Sequence, residues 1–215
     1  GSNLGMKPMG GDAIAILISH RVPWIDDTED GSRGSGLMHH KFVVIDQSVV
    51  ISGSANFTAS GLHGDANGTK TRGNVNHLLR IESRDLATIF RTEFMQLWGD
   101  GPGGAKNSQF GLKKNSRGAS VVDVSGDRVE VLFPPHRKRD ANNGLKWINA
   151  HLSRAQQTID LALLVFSAQS LANILQEQVE AGIAIRLIAD PGFASRSFSE
   201  VLDLLGFAFP DHTCQ

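Results

Sequence analysis

Apolar positions along this chain recur with two periods. In Arg84 to Trp98 (RDLATIFRTEFMQLW), Leu86, Ile89, Phe90, Phe94 and Leu97 fall on one stripe, which predicts an amphipathic helix packed on a core. Lys41 to Ile45 is β-branched, aromatic and apolar, and reads as a strand. Ala13 to His20 reads as a buried strand, and Asp26 to Gly36, rich in Asp, Gly and Ser, as a loop near the mouth of a site. From Asp127 the pattern restarts. Arg128 to Pro135 reads as a strand ending at a Pro pair, and Ala141 to Gln157 as a helix with Leu145, Ile148, Leu152 and Ala155 on one face. Thr158 to Phe166 reads as an apolar strand and Leu171 to Ala181 as a helix stopped by Gly182. Ile183 to Ala189 is a further strand and Ser197 to Leu205 a further helix. This alternation predicts an α/β fold: a mixed, largely parallel sheet flanked by helices.

Between the two patterned regions lies a stretch with Gly-Pro-Gly-Gly104 and no apolar period, expected to be a linker over residues 99–126. Lys106, Lys113, Lys114 and Arg117 fall in it, and His136-Arg-Lys-Arg139 adds a second basic cluster. These charges are either a solvated loop face or an attraction for a phosphate-rich substrate. The formal net charge is −1, so any nucleic-acid binding is local. The single cysteine, Cys214, excludes an intrachain disulfide framework. No apolar run approaches the roughly 20 residues of a spanning helix, so no transmembrane segment is expected. The first residue is Gly rather than Met, which points to a native start upstream and leaves the compartment unassigned.

The chemistry concentrates in Met38 to Asn56, where His39, Lys41, Asp46, Gly53, Ser54 and Asn56 are spaced as His-x-Lys, four residues, Asp, six residues, Gly-Ser-x-Asn. Six fixed positions match by chance roughly once in ~10⁷–10⁸ registers at average residue usage. Side chains two apart on a strand share a face, so His39 and Lys41 point together and His40 points away. An imidazole can attack a phosphodiester phosphorus and form a phospho-histidine. The Lys41 ammonium can hold the non-bridging oxygens, Ser54 and Asn56 can donate hydrogen bonds to them, and Gly53 lets backbone approach the substrate. Asp46 has the opposite parity and lies about 23 Å along an extended strand from His39, so it is expected to tie down the turn at Gln47-Ser48. His40 is expected to pack or to support the site. Metal ligation by His39 and His40 is poorly served by adjacent strand residues, no Cys pair or His-Glu-x-x-His pattern adds to it, and Lys41 already supplies a cation. No metal and no cofactor are therefore expected.

This run resembles the HKD motif of the phospholipase D superfamily, whose members include phospholipases, phospholipid synthases, nucleases and DNA-repair phosphodiesterases. Asn56-Phe-Thr-Ala-Ser-Gly61 is similar to the turn that follows the motif, and Arg72 to Ile81 resembles the next strand. There an Asn commonly faces the site, which would make Asn76 a phosphate-binding residue. Many members carry an acidic residue near that Asn to orient the partner histidine. Here Asn74, Val75 and Asn76 stand in its place.

The resemblance implies two partial repeats. Residues 1–98 look like the motif-bearing end of one domain, and residues 127–215 like the N-terminal part of a second whose own motif is absent. It also implies a metal-independent phosphodiesterase acting on phospholipids or nucleic acids, with a second histidine as acid. That histidine is expected from a partner chain or from a continuation past Gln215. An isolated chain would otherwise be a catalytically incomplete phosphate- or nucleic-acid-binding fragment.

Overall fold

A computed structural model describes residues 13–29, 38–63 and 73–206. The chain forms two compact units, Gly1–His136 and Arg137–Gln215, each taken here by itself.

The first unit is built on an antiparallel sheet of β1 (Phe42–Ile45), β2 (Val49–Gly53) and β3 (Leu78–Glu82), in that order. The β1–β2 turn is closed by the Ser48 amide donating to the Ile45 carbonyl, at 3.0 Å. Asp46 and Gln47 take φ of 50° and 53°, the left-handed pair that lets a tight turn match strand twist. The short helix α2 (Ala59–Leu62) follows β2, and α3 (Arg84–Trp98) follows β3. Ser83 caps α3, its hydroxyl accepting from the Leu86 amide. A 3₁₀ turn at Gly111–Lys113 leads to the hairpin of β4 (Ser120–Val124) and β5 (Asp127–Val131). Val50 of β2 and Leu86, Ala87 and Phe90 of α3 form the buried core; Phe42, Val44, Ile81, Val122, Val129, Val131 and Phe133 pack against it.

The second unit contains α4 (Gly144–Leu152), β6 (Thr158–Leu163), α5 (Gln169–Glu180), β7 (Ala184–Ala189), α6 (Pro191–Ala194) and α7 (Glu200–Leu204). β6 and β7 are parallel, joined through α5, and Ile159, Phe166, Ala172 and Leu175 form their core.

Several expectations are corrected. The fold is mixed α/β, but among the described strands only β6 and β7 pair in parallel. Parallel strands need a crossover of a dozen residues or more, and the turns of β1–β2 and β4–β5 are far shorter; β2 and β3 pair antiparallel although residues 54–77 and α2 lie between them. Residues 120–124, expected within a linker, are a strand: Ser125 (φ 57°) and Gly126 (φ 94°) turn the chain straight back into β5. The hairpin packs on the core of the first unit, so the compact units divide after His136 rather than around 99–126. Ala13–Ser19 is an α-helix (α1), with Ile16 and Ile18 exposed. A short apolar run does not distinguish helix from strand, and Ala and Leu favour the helix. On α3 the inward stripe includes Ala87 and Glu93, whereas Phe94 is exposed and stacks on Trp98 with ring centroids 5.6 Å apart. In α4, Asn143 caps the start, and Leu145 and Ile148 are exposed while Leu152 meets the core, as does Ala155 beyond the helix end. Residues 30–36 of the expected site-mouth loop, Arg72 and Cys214 lie outside the described residues. Among the described residues no helix is long and apolar enough to cross a membrane.

Gly53 is fixed by its neighbour strand. A Cβ there would lie 2.1 Å from the His77 carbonyl oxygen, closer than any real contact. Gly53→Ala is expected to destabilise the first unit by about 1–3 kcal/mol, through forced separation of β2 and β3. Chemical denaturation of the wild type and variant measures it.

Candidate active site

The sheet registers sort the motif into two ends. Phe42 pairs with Ser52, and one step further the Gly53 amide donates to the Lys41 carbonyl, at 3.4 Å. Gly53 pairs with Leu78, and the Ser54 amide donates to the His77 carbonyl, at 3.1 Å. The start of β1, the end of β2 and the start of β3 therefore meet at one end of the sheet. They carry His39 and Lys41, Ser54, and Asn76. Asp46 sits in the turn at the other end, exposed. The turn is closed by backbone, so a left-handed φ rather than a side-chain tie explains an Asp there: Asp and Asn are enriched among non-Gly residues at positive φ.

His39 is exposed and lines a cavity of about 430 Å³. The Lys41 ammonium donates to the His39 carbonyl at 2.7 Å, and among the described residues its other two donors have no acceptor. The Ser54 hydroxyl donates to Asn76 Oδ1 at 2.9 Å and accepts from the His77 amide at 3.1 Å. Asn76 Nδ2 donates to the Gly61 and Asn74 carbonyls, both at 3.2 Å. As the structure stands, Asn76 holds Ser54 and the loop at Gly61. The exposed Asn56 follows Ser54 on the same edge.

His40 belongs to a different environment. Its ring lies 5.8 Å from Phe42 and 5.7 Å from Phe133, and Phe90 lies 5.2 Å from Phe42 and 5.1 Å from Phe133, edge to face. Its Nε2 faces Glu93 Oε1 at 3.2 Å. Glu93 is fully buried on α3. The same carboxylate is paired with the Lys114 ammonium and, at 2.7 Å, with the Arg117 guanidinium. Burial pushes the Glu93 carboxyl up, but hydrogen bonds and charge from His40 and Lys114 outweigh it and hold the group below its ordinary value of 4.5. Lys114 also donates to the Phe133 and Pro134 carbonyls, both at 3.1 Å. Sequence reasoning missed Glu93. Its signal was a charged residue at the helix period of Leu86, Phe90 and Leu97.

The chain also holds a bare His-x-Lys at His136 and Lys138, with Asn143 where the motif would have Asp. His136 Nε2 is 3.2 Å from the Arg117 carbonyl, so that ring nitrogen is used in holding backbone.

With this geometry in place, likeness to known proteins becomes informative. Residues 2–98 match the family model described as the PLD-like domain of cardiolipin synthase. Over that segment the chain is similar to the phospholipase D superfamily. It is 35% identical over 66 residues to the mitochondrial cardiolipin hydrolase of Xenopus tropicalis, which is 31% of this chain and 27% of that protein. It is 32% identical over 63 residues to the mitochondrial cardiolipin hydrolases of dog and mouse, 29% of this chain and 21% and 24% of those proteins. The chain thus matches about a quarter of the length of these relatives. The family match ends at Trp98, before Lys114 and Arg117.

Two outcomes are expected. Because the folded-state value of Glu93 is depressed, its contribution to stability is present above the unfolded-state value and is lost as pH falls through the folded one. Stability should therefore fall as pH drops below about 4.5, and Glu93→Gln, which leaves Lys114 buried without a counter-charge, should cost about 3–5 kcal/mol at neutral pH and remove that acid limb. Urea midpoints across pH read both. Asp46→Ala should lose about 1 kcal/mol through its positive φ, read from the same urea midpoints.

Proposed function

We propose that this chain is a phosphodiesterase of the phospholipase D type. The observation that carries the reading is the meeting of His39, Lys41, Ser54 and Asn76 at one end of the sheet, with Asn56 following. His39 attacks phosphorus as the bond to the leaving oxygen breaks, and an acid delivers a proton to that oxygen. Water, deprotonated by the same group, then cleaves the phosphorus–nitrogen bond, returning free imidazole and a phosphate monoester. The two uncommitted donors of Lys41 and the amide of Asn56 hold the non-bridging oxygens. Ser54 joins them by rotating its hydroxyl proton from Asn76 to the phosphate, with the His77 amide still donating to its oxygen. Asn76 accepts that proton only while the phosphate is absent; with phosphate bound, the His77 amide alone holds the Ser54 oxygen in place.

The acid is a second histidine in the corresponding place of a second motif. The complete pattern occurs once in these 215 residues. The second motif therefore comes from another copy of the chain across a two-fold interface, or from polypeptide beyond residue 215. In the latter case the second unit, from Arg137 on, serves as the first part of the second motif-bearing domain.

A phospholipid is the favoured substrate. The curated relatives are cardiolipin hydrolases. Of the four basic residues in the 103–119 stretch, Lys114 and Arg117 are bound to Glu93, which weakens the case for polyanion binding. The absence of a second complete motif also favours a second reading, in which the chain holds phosphate groups without cleaving them.

Incubation with a phosphodiester, followed by denaturing quench at neutral to alkaline pH and mass spectrometry, should show an adduct on His39. Strong chelator should leave it unchanged. His39→Ala should abolish it and lower any turnover by at least about 10³-fold. Phosphate binding with no adduct in the wild type would establish the non-cleaving reading instead.

A further inference from the structure

The cavity at His39 has a wall drawn from outside the family-matched segment. Phe110, Lys114, Pro134 and Pro135 line it together with Met38 and Leu97. Its one lysine is Lys114, which has three donors. All three are taken: one by Glu93, one by the Phe133 carbonyl and one by the Pro134 carbonyl. Its side chain is only 5% exposed. Lys114 therefore braces the wall and offers nothing to an anion. Asp27, His39 and His40 also line the space; the rest of what faces it is mainly apolar: the Met38 thioether, Leu97, Phe110 and the two proline rings. A dry apolar cavity of about 150 Å³ admits a benzene-sized molecule, so about 430 Å³ has room for a ring or a short alkyl chain with space to spare.

We infer that this cavity is a subsite for an uncharged, apolar group esterified to the phosphate held at His39, and that Met38 and Phe110 set its preference. The inference rests on the proposed placing of phosphate at His39. A second phosphate is poorly served there, because entering the cavity would strip its water without meeting a free cation among the described residues, and Asp27 on the lining would repel it. The apolar group has two possible sources, an alkyl chain or an aromatic ring, and the two share this chemistry.

Calorimetric titration of the full chain with phosphate monoesters tests the subsite without requiring turnover. Inorganic phosphate, phenyl phosphate, hexyl phosphate and propane-1,3-diyl bisphosphate are the probes. Phenyl or hexyl phosphate should bind at least about tenfold more tightly than inorganic phosphate, and whichever is tighter identifies the shape preferred. The bisphosphate should show no such gain. Met38→Ser, at a residue 46% exposed, and Phe110→Leu, which keeps the core filled, should each narrow the apolar gain by about threefold or more while inorganic phosphate binds as before. His39→Ala should weaken all four probes. Equal affinity for inorganic and organic phosphates, or tightest binding of the bisphosphate, overturns the subsite but leaves phosphate at His39 standing. Failure of every probe to bind overturns both.

Discussion

A carboxylate sealed from water has to be met by positive charge from the protein, and in this chain that carboxylate is Glu93. Its burial would cost several kcal/mol if it were unpaired. His40, Lys114 and Arg117 answer it from two separate segments of the sequence. The start of the motif and the 110–118 stretch are thereby pinned to one point on α3. Breaking such a cluster costs far more than a surface ion pair, but replacing it with apolar groups of the same shape could be neutral. Its role is best understood as specificity. With Glu93 at the helix centre, a shifted α3 would leave the charge without its partners.

The same cluster explains the division of labour between two adjacent histidines. His40 lies among Phe42, Phe90 and Phe133 with its Nε2 at Glu93, so its freedom is spent on holding the chain. His39, next to it, is exposed on the cavity. A rigid neighbour is what a nucleophile needs if it is to meet phosphorus in a narrow range of geometry. The sheet adds a second restraint. The close approach of β2 and β3 at Gly53 brings Ser54 within reach of the Asn76 side chain and the His77 amide, and the hydrogen bonds there fix its hydroxyl oxygen.

Sequence made the local features readable and left the distant ones hidden. The limits of α3 were legible because a Ser cap precedes a fifteen-residue amphipathic run and a glycine follows it. The hairpin of β4 and β5 was readable in principle: Val121-Val-Asp-Val124 and Arg128-Val-Glu-Val131 flank Ser125-Gly126, a turn pair. The glycines and basic residues just before it drew the reading toward a linker. Phe94 falls on the expected stripe because it is apolar, and Glu93 is absent from it because it is charged. Hydropathy decides that choice by default. Overriding it requires knowing that Lys114 and Arg117 return to the same spot from 21 and 24 residues away, which no local pattern encodes. Of the site, the spacing gave residue types and parity and already set Asp46 apart, but only strand register brings Ser54 and Asn76 to the end of the sheet that carries His39 and Lys41.

The family-matched segment ends with α3, but the physical unit does not. Phe90 is 8% exposed, with Phe133 edge to face against it and Val122, Val129 and Val131 packed on the same core. Removing everything after Trp98 would take away that covering layer and two of the three cations around Glu93. Exposed apolar area and a half-neutralised buried charge would then act together against the fold. The smallest unit that can carry the motif therefore extends through the β4–β5 hairpin to about His136. The stretch between, which looks in sequence like a spacer, is where α3 obtains both its charge balance and its second packing face.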